Sequence, residues 1–350
     1  MNPRRTRAVA RRIILQFRHD RRSVALLLVA PILVLTLVGQ LWGSPTSSNK
    51  VRIVAVGDAQ PELLDAFKGT DIELSVADRD AALDSLKAGT VDAIIEFQDN
   101  SAQVTVEGSD PTRTGAIIGQ VQAALTHLIL ETPISSFVKI DYLYGGPQYT
   151  ILDYVAPVLI AFFAFFFIFL LACVSFLRER TSGTLERLLA SPLTRVELVV
   201  GYLGGFAVFA LIQALVILAF TVFVLKVQYR GNLATIFLVE AVLVVVAVSL
   251  GLAISAFARN ELQAVQFIPL VILPQAFLSG FLVPVDQLSD WLRPISAVLP
   301  LTYATEALRS VMVKGYALSD PLIVRDVGIL VAFALLMAVA AVASIRREVA

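Results

Sequence analysis

The chain is poor in the residues from which chemical sites are usually built. It has one cysteine and two histidines in 350 residues, and glycine is nowhere followed by lysine. Cys173 lies inside an apolar run, which excludes an intrachain disulfide and a cysteine-based metal site. His19 and His127 are far apart and show no metal-ligand spacing. Without G-x-x-x-x-G-K-[ST] there is no phosphate-cradling loop of that kind, so any ATP chemistry belongs to another polypeptide. No cofactor, metal site or catalytic group is expected. Charge is also scarce: 16% of residues carry it, against about a quarter in a soluble domain. No internal repeat is visible, which removes support for an inverted-repeat carrier. What the chain has instead is apolar mass, 57% of residues, with mean hydropathy +0.78. It reads as an all-α polytopic membrane protein of six transmembrane helices with an inserted extracytoplasmic α/β domain.

Residues 1–22 contain eight arginines, with Val9, Ile13 and Phe17 recurring every four residues. This pattern predicts a basic amphipathic helix lying in the membrane interface, apolar side down. Nucleic-acid binding, the other use of a basic arm, fits poorly beside an apolar stripe and an adjoining span. Residues 23–43 form the first span, read as an uncleaved anchor because no A-x-A-like site follows it directly. Residues 151–350 supply the other five, at about 153–177, 198–225, 233–257, 265–283 and 327–345. The second is rich in phenylalanine, including Phe162, Phe166 and Phe169, which either face lipid and neighbouring helices or line a greasy cavity. The fourth carries Glu240, which either marks a pathway or snorkels to the surface. Pro269 and Pro274 predict a kinked or broken fifth span, and Gln266 and Gln275 on it are better satisfied against protein than lipid. The candidate substrate path is therefore Phe162, Phe166, Phe169, Gln266, Pro274 and Gln275. Residues 284–323 are too polar to span and predict short interfacial or re-entrant pieces.

Residues 44–150 differ in character, with 15 acidic residues against seven basic. Strands are predicted at 51–56 and 72–76, and a hairpin at 91–97 and 103–107 around residues 98–101. Helices are predicted at 61–68, 79–87 and 114–130, with Gly145-Gly146-Pro147 as the exit linker.

The polar stretch 176–201, FLRERTSGTLERLLASPLTRVELVVG, joins the second and third spans. Its charges alternate in sign, and Leu185, Leu188 and Leu189 fall at i, i+3, i+4 spacing. Thr184 is suited to cap a helix starting at Leu185, and Pro192 to stop it. A short rigid helix of this kind suits a mechanical contact with another protein; the plainer reading is a membrane-proximal loop with a solvated face. With the N-terminus inside, the inner segments hold 15 Lys and Arg. The outer segments outside the long acidic domain hold six. Both termini and the 176–201 stretch are thus expected in the cytoplasm.

These residues resemble a known family. LRERTSGTLERLLASPLTRVELVVGY is similar to the cytoplasmic loop of bacterial ABC transporter permeases of the type-2 family. Ser279 to Arg309 resembles that family's outer segment, matching at Pro284, Trp291, Pro300, Thr302, Tyr303, Glu306, Ala307, Leu308 and Arg309. Ser289-Asp290 stands where a second proline is usual. Leu86 to Ile95 resembles a phrase of the extracytoplasmic domain in one subgroup. The resemblance implies an export-type permease for drugs, lipids or similar cargo in the bacterial cytoplasmic membrane. Two copies or homologues would pair as a dimer, each gripped by a separate ABC ATP-binding subunit. It makes the N-terminal helix a connecting helix and 182–192 a coupling helix. The coupling residues are then Arg178, Glu179, Arg180, Gly183, Thr184, Leu185, Glu186, Leu188, Leu189 and Pro192, with Pro300, Thr302, Tyr303 and Glu306 in the outer segment. Two other readings stand beside it. One is a membrane-anchored mechanical transducer or sensor whose outer domain binds an envelope partner without transport. The other is an ATP-independent carrier or channel, for which Glu240 is the sole embedded charge on offer.

Overall fold

A computed structural model describes residues 1–41, 51–56, 72–98, 101–108, 114–115, 117–119, 121, 138–144, 149–255, 257–258, 261–281 and 285–345. The chain divides into two compact units: Trp42–Tyr154, and Met1–Leu41 together with Val155–Ala350.

The smaller unit contains strands β1 (Val51–Val56), β2 (Ile72–Val76), β3 (Ala93–Gln98), β4 (Ser101–Val106) and β5 (Val138–Tyr142) in the order β2-β1-β3-β4-β5. All neighbours are parallel except β3 and β4, whose antiparallel pairing ends at Gln98 opposite Ser101. Alternation sets the two faces. Val51, Ile53, Ala93, Ile95, Val104 and Val106 pack with Ile117 and Val121, from a stretch that is helical where described. Val54 and Ile94 pack with Ala82 and Leu86 of a helix at Arg79–Lys87. That helix ends where Gly89 takes φ 70°. Asp92, 4% exposed, accepts the Arg52 backbone N–H at 2.8 Å, which pins β1 beside β3. The expected 61–68 helix and the 145–147 linker lie outside the described residues, as do residues 116, 120 and 122–130 of the expected 114–130 helix.

The larger unit is helical. Numbering helices in chain order with Arg79–Lys87 as α3, its members are α1 (Pro3–His19), α2 (Arg21–Leu41), α4 (Ile151–Thr181), α5 (Thr184–Ala190), α6 (Arg195–Ala219), α7 (Leu233–Ser255), α8 (Glu261–Leu278), α9 (Arg293–Ser296), α10 (Pro300–Arg309) and α11 (Pro321–Ser344). A π-turn, Phe220–Val224, extends α6, and another, Ser310–Lys314, follows α10. At 1.5 Å per residue, α4 and α6 with its π-turn are each about 45 Å long, against a hydrocarbon core of about 30 Å. Both therefore outrun the hydrocarbon core. Gly251 of α7 lets it close on α4: a Cβ there would sit 2.8 Å from the Phe169 carbonyl oxygen. Gln213 of α6, fully buried, donates to the Phe163 carbonyl of α4 at 3.0 Å.

Among the described residues four helices are long and apolar enough to cross a membrane: Ile151–Thr181, Arg195–Val224, Leu233–Ser255 and Pro321–Ser344. The count becomes five when α1 and α2, bent by 67° to one another, are taken together as one broken span. The expected fifth span, 265–283, is the shorter helix α8, apolar over Gln266–Leu278. Pro269 and Pro274 lie within α8 without interrupting it. Its terminal carbonyls are taken by the segment that follows: Ser296 donates to Leu278, Thr305 to Ser279 and Arg309 to Gly280. Those donors satisfy groups that a helix end leaves orphaned.

Candidate functional site

The elbow between α4 and α6 is built from its ends inward. The long α4 stops at Thr181, and Gly183 turns the chain with φ 68°. A side chain at that position would be strained in the left-handed region. The short helix α5 then runs from Thr184 to Ala190. Thr184 is thus the first helical residue and not the cap, a correction with a simple cause. The turn needs glycine at the cap position, and the Thr184 hydroxyl instead meets Ser182 Oγ at 2.9 Å. Helix α5 is seven residues, shorter than the expected segment 182–192, because Ser191 already adopts extended backbone before Pro192. Thr194 then opens α6 with a full capping box to Glu197.

Leu185 is buried at 7%, Leu188 and Leu189 are half-buried, and Glu186, Arg178, Arg180 and Pro192 are exposed. The helix therefore presents one anchored side and one charged side. Arg180 reaches the Ala258 carbonyl at 3.4 Å, tying the elbow to the end of α7.

Glu179 departs from the picture of a solvated charge. It is 4% exposed, and both of its oxygens accept from Arg12 Nη2 at 3.0 Å. Two more contacts come from the same N-terminal helix. Arg5 donates to the Pro192 carbonyl, and the Asn2 backbone N–H donates to Glu197 Oε1 at 2.5 Å. Helix α1 therefore braces the elbow on both sides of α5, once before it and twice after it. The brace is fixed by its apolar stripe, which lies on α6 and not in lipid. Val9, Ile13 and Phe17 are 4%, 0% and 5% exposed. Gly201 and Gly205 make the approach possible, since a Cβ on them would come within 2.6 Å of Val9 Cβ and 2.7 Å of Ile13 Cβ. Phe17 completes the contact edge-on to Phe206 at 5.4 Å. Between α1 and the elbow lies a cavity of about 450 Å³, lined by Arg12, Gln16, Arg178, Glu179 and Ser182 among others. Sequence periodicity located the stripe of α1 but could not name its neighbour; the glycine pair at i, i+4 in α6 was the available signal.

The residues expected to form a substrate path do not all share one environment. Phe162 and Phe166 stack on one another at 5.8 Å and are partly exposed, with Phe281 5.2 Å from Phe162. Phe169 is fully buried against Phe165 and lines no open surface. Gln275 is 2% exposed and accepts the Leu301 N–H at 3.1 Å, whereas Gln266 is exposed and Pro274 half-buried. The expectation for glutamines against protein thus holds for one of the two. In the 285–314 segment, buried Pro300 opens α10, Thr302 donates to the Ser296 carbonyl at 2.8 Å and Tyr303 to the Ala297 carbonyl at 2.7 Å. Glu306 pairs with Arg325 at 2.9 Å.

Glu240 does not snorkel. It is 0% exposed inside the bundle, and neither carboxylate oxygen has a hydrogen-bond partner. An unpaired acid in an apolar helix centre costs about 2.5–3.5 kcal/mol. Glu240→Leu is therefore expected to raise the thermal midpoint of the purified protein by several degrees, read by unfolding in detergent. An unchanged or lower midpoint would show a stabilising partner for the carboxylate.

Long apolar helices packed into one bundle define a polytopic membrane protein. A family model described as ABC-2 family transporter protein matches residues 21–343. The chain belongs to that family, and is an ABC transporter permease. It is similar to the probable multidrug ABC transporter permease YbhS of Escherichia coli, 24% identical over 340 residues covering 89% of each chain. It is also similar to ABC transporter G family member 20 of Dictyostelium discoideum, 34% identical over 50% of this chain and 24% of that one. A third relative is the linearmycin resistance permease protein LnrN of Bacillus subtilis, 28% identical over 50% of this chain and 45% of that one.

Proposed function

We propose that the chain is the membrane-spanning subunit of an ABC exporter that moves an apolar or amphipathic cargo out of the cytoplasm or inner leaflet. ATP is hydrolysed on a separate cassette protein, and two permease copies or homologues pair in the bacterial cytoplasmic membrane. In this reading six spans place both termini and the elbow in the cytoplasm and the 44–150 region outside. The observation that carries it is the elbow: α5 is short and anchored by Leu185, and the residues on either side of it are fastened by Arg12, Arg5 and Asn2. A helix so held transmits a push as a rigid displacement into α4 and α6. The relatives named for multidrug function and linearmycin resistance support the cargo class, as does the partly exposed Phe162–Phe166 pair.

The test is co-purification with the ATPase. Glu186 is exposed and far from the brace contacts in role, so Glu186→Arg should leave folding intact. It should weaken ATPase capture and lower permease-stimulated ATP hydrolysis by about tenfold, the scale of one lost interfacial charge contact plus one new repulsion. Stimulated hydrolysis equal to wild type would remove the coupling role from α5.

The four long apolar helices favour one second reading, a membrane-anchored transducer whose outer region binds an envelope partner. Cysteine labelling separates the two. Probes at Gln263 and Asp290 on opposite sides of the membrane mean that α8 crosses and support the exporter; the same side supports the transducer.

A further inference from the structure

The arginines that precede the first span sort by face once α1 is in place. Successive residues of a helix are about 100° apart. Val9, Ile13 and Phe17 point at α6, and Arg5 and Arg12, on the flank toward the elbow, are engaged by Pro192 and Glu179. Arg4, Arg7, Arg11 and Arg18 fall within an arc of about 60° on the far side, along about 21 Å of helix. All four are exposed. No acidic residue precedes Asp20, and among the described residues none of the four guanidinium groups has a hydrogen bond or ion pair.

We propose that this ridge is a binding surface for the phosphate headgroups of anionic phospholipid in the leaflet where α2 enters the membrane. Three features favour that occupant. The ridge is single-signed, whereas an ordinary solvated face mixes both signs. It is joined through Asp20 directly to α2, with a 67° bend that keeps it beside the point of entry. Guanidinium forks match phosphate oxygens bidentately, and clustered basic side chains beside a span are drawn to an anionic leaflet. The apolar stripe, which would otherwise dip into lipid, is already covered by α6, so the lipid contact passes to the opposite face.

Native mass spectrometry of the full chain, purified in mild detergent and supplied with either phosphatidylglycerol or phosphatidylcholine, reads this directly. Wild type should retain phosphatidylglycerol at least about tenfold over phosphatidylcholine, the scale of a modest gain in phosphate affinity. The variant Arg4→Gln, Arg7→Gln, Arg11→Gln, Arg18→Gln should lose that preference, and the matching four-lysine variant should keep most of it. Equal retention by wild type and the glutamine variant overturns the proposal. So does a glutamine variant that keeps its lipid preference but no longer captures the ATPase, since the ridge would then read an acidic protein surface.

Discussion

Gly205→Val will detach α1 from α6, lower the thermal midpoint of the purified protein by several degrees and expose the N-terminal helix to trypsin. The reason is steric. A Cβ at Gly205 already falls 2.7 Å from Ile13 Cβ and 2.9 Å from its Cγ2, and the Ala10 carbonyl is 3.2 Å away. Helix α1 cannot shift sideways, because Val9 meets Gly201 one turn earlier and Phe17 meets Phe206 one turn later. Overpacking at such a contact costs about 1–3 kcal/mol. Here the strain is relieved by lifting the whole helix, which also breaks the three brace contacts. If Gly205→Val unfolds and resists trypsin as wild type does, the stripe is not seated on α6.

Arg12→Ala will have the second large effect. It leaves Glu179, 4% exposed, as a carboxylate without its bidentate partner. Removing one member of a buried pair costs about 3–5 kcal/mol. Arg12 is itself 36% exposed, so solvent screening reduces the expectation to about 1–3 kcal/mol. The double variant Arg12→Met with Glu179→Met should recover most of that loss, because it buries no lone charge. If the elbow couples to the ATPase as proposed, the functional signature is distinct. The permease with Arg12→Ala still stimulates ATP hydrolysis, since α5 is intact, but cargo moved per ATP falls. Arg12→Ala with wild-type stability and unchanged cargo per ATP would make the brace ornamental.

Parts of the fold were open to reading from residues alone because their patterns are local. β1 and β2 and the helix at Arg79–Lys87 have the bounds that alternation and helical spacing assign them. β5 was missed although Val138, Ile140 and Tyr142 alternate with Lys139 and Asp141, because its pairing with β4 is a crossover that no neighbouring turn announces. The helices of the bundle run beyond their apolar windows, α4 to Thr181 and α6 from Arg195, because polar residues continue a helix as readily as apolar ones outside the bilayer. At the elbow, the alternating charges and the leucine spacing located α5, but Gly183 and not Thr184 caps it.

Hydropathy and period are properties of the one-dimensional chain, and they were enough to place this protein in a membrane and to mark which side of each element is apolar. They carry no information about distant neighbours. That Val9, Ile13 and Phe17 rest on α6, that Glu179 is held by Arg12 from 167 residues away, and that Glu240 is enclosed without a partner were decided by packing. A side chain's face is set by helical geometry over a few residues, whereas its partner is set by which backbones can approach, and here two glycines of α6 made that choice.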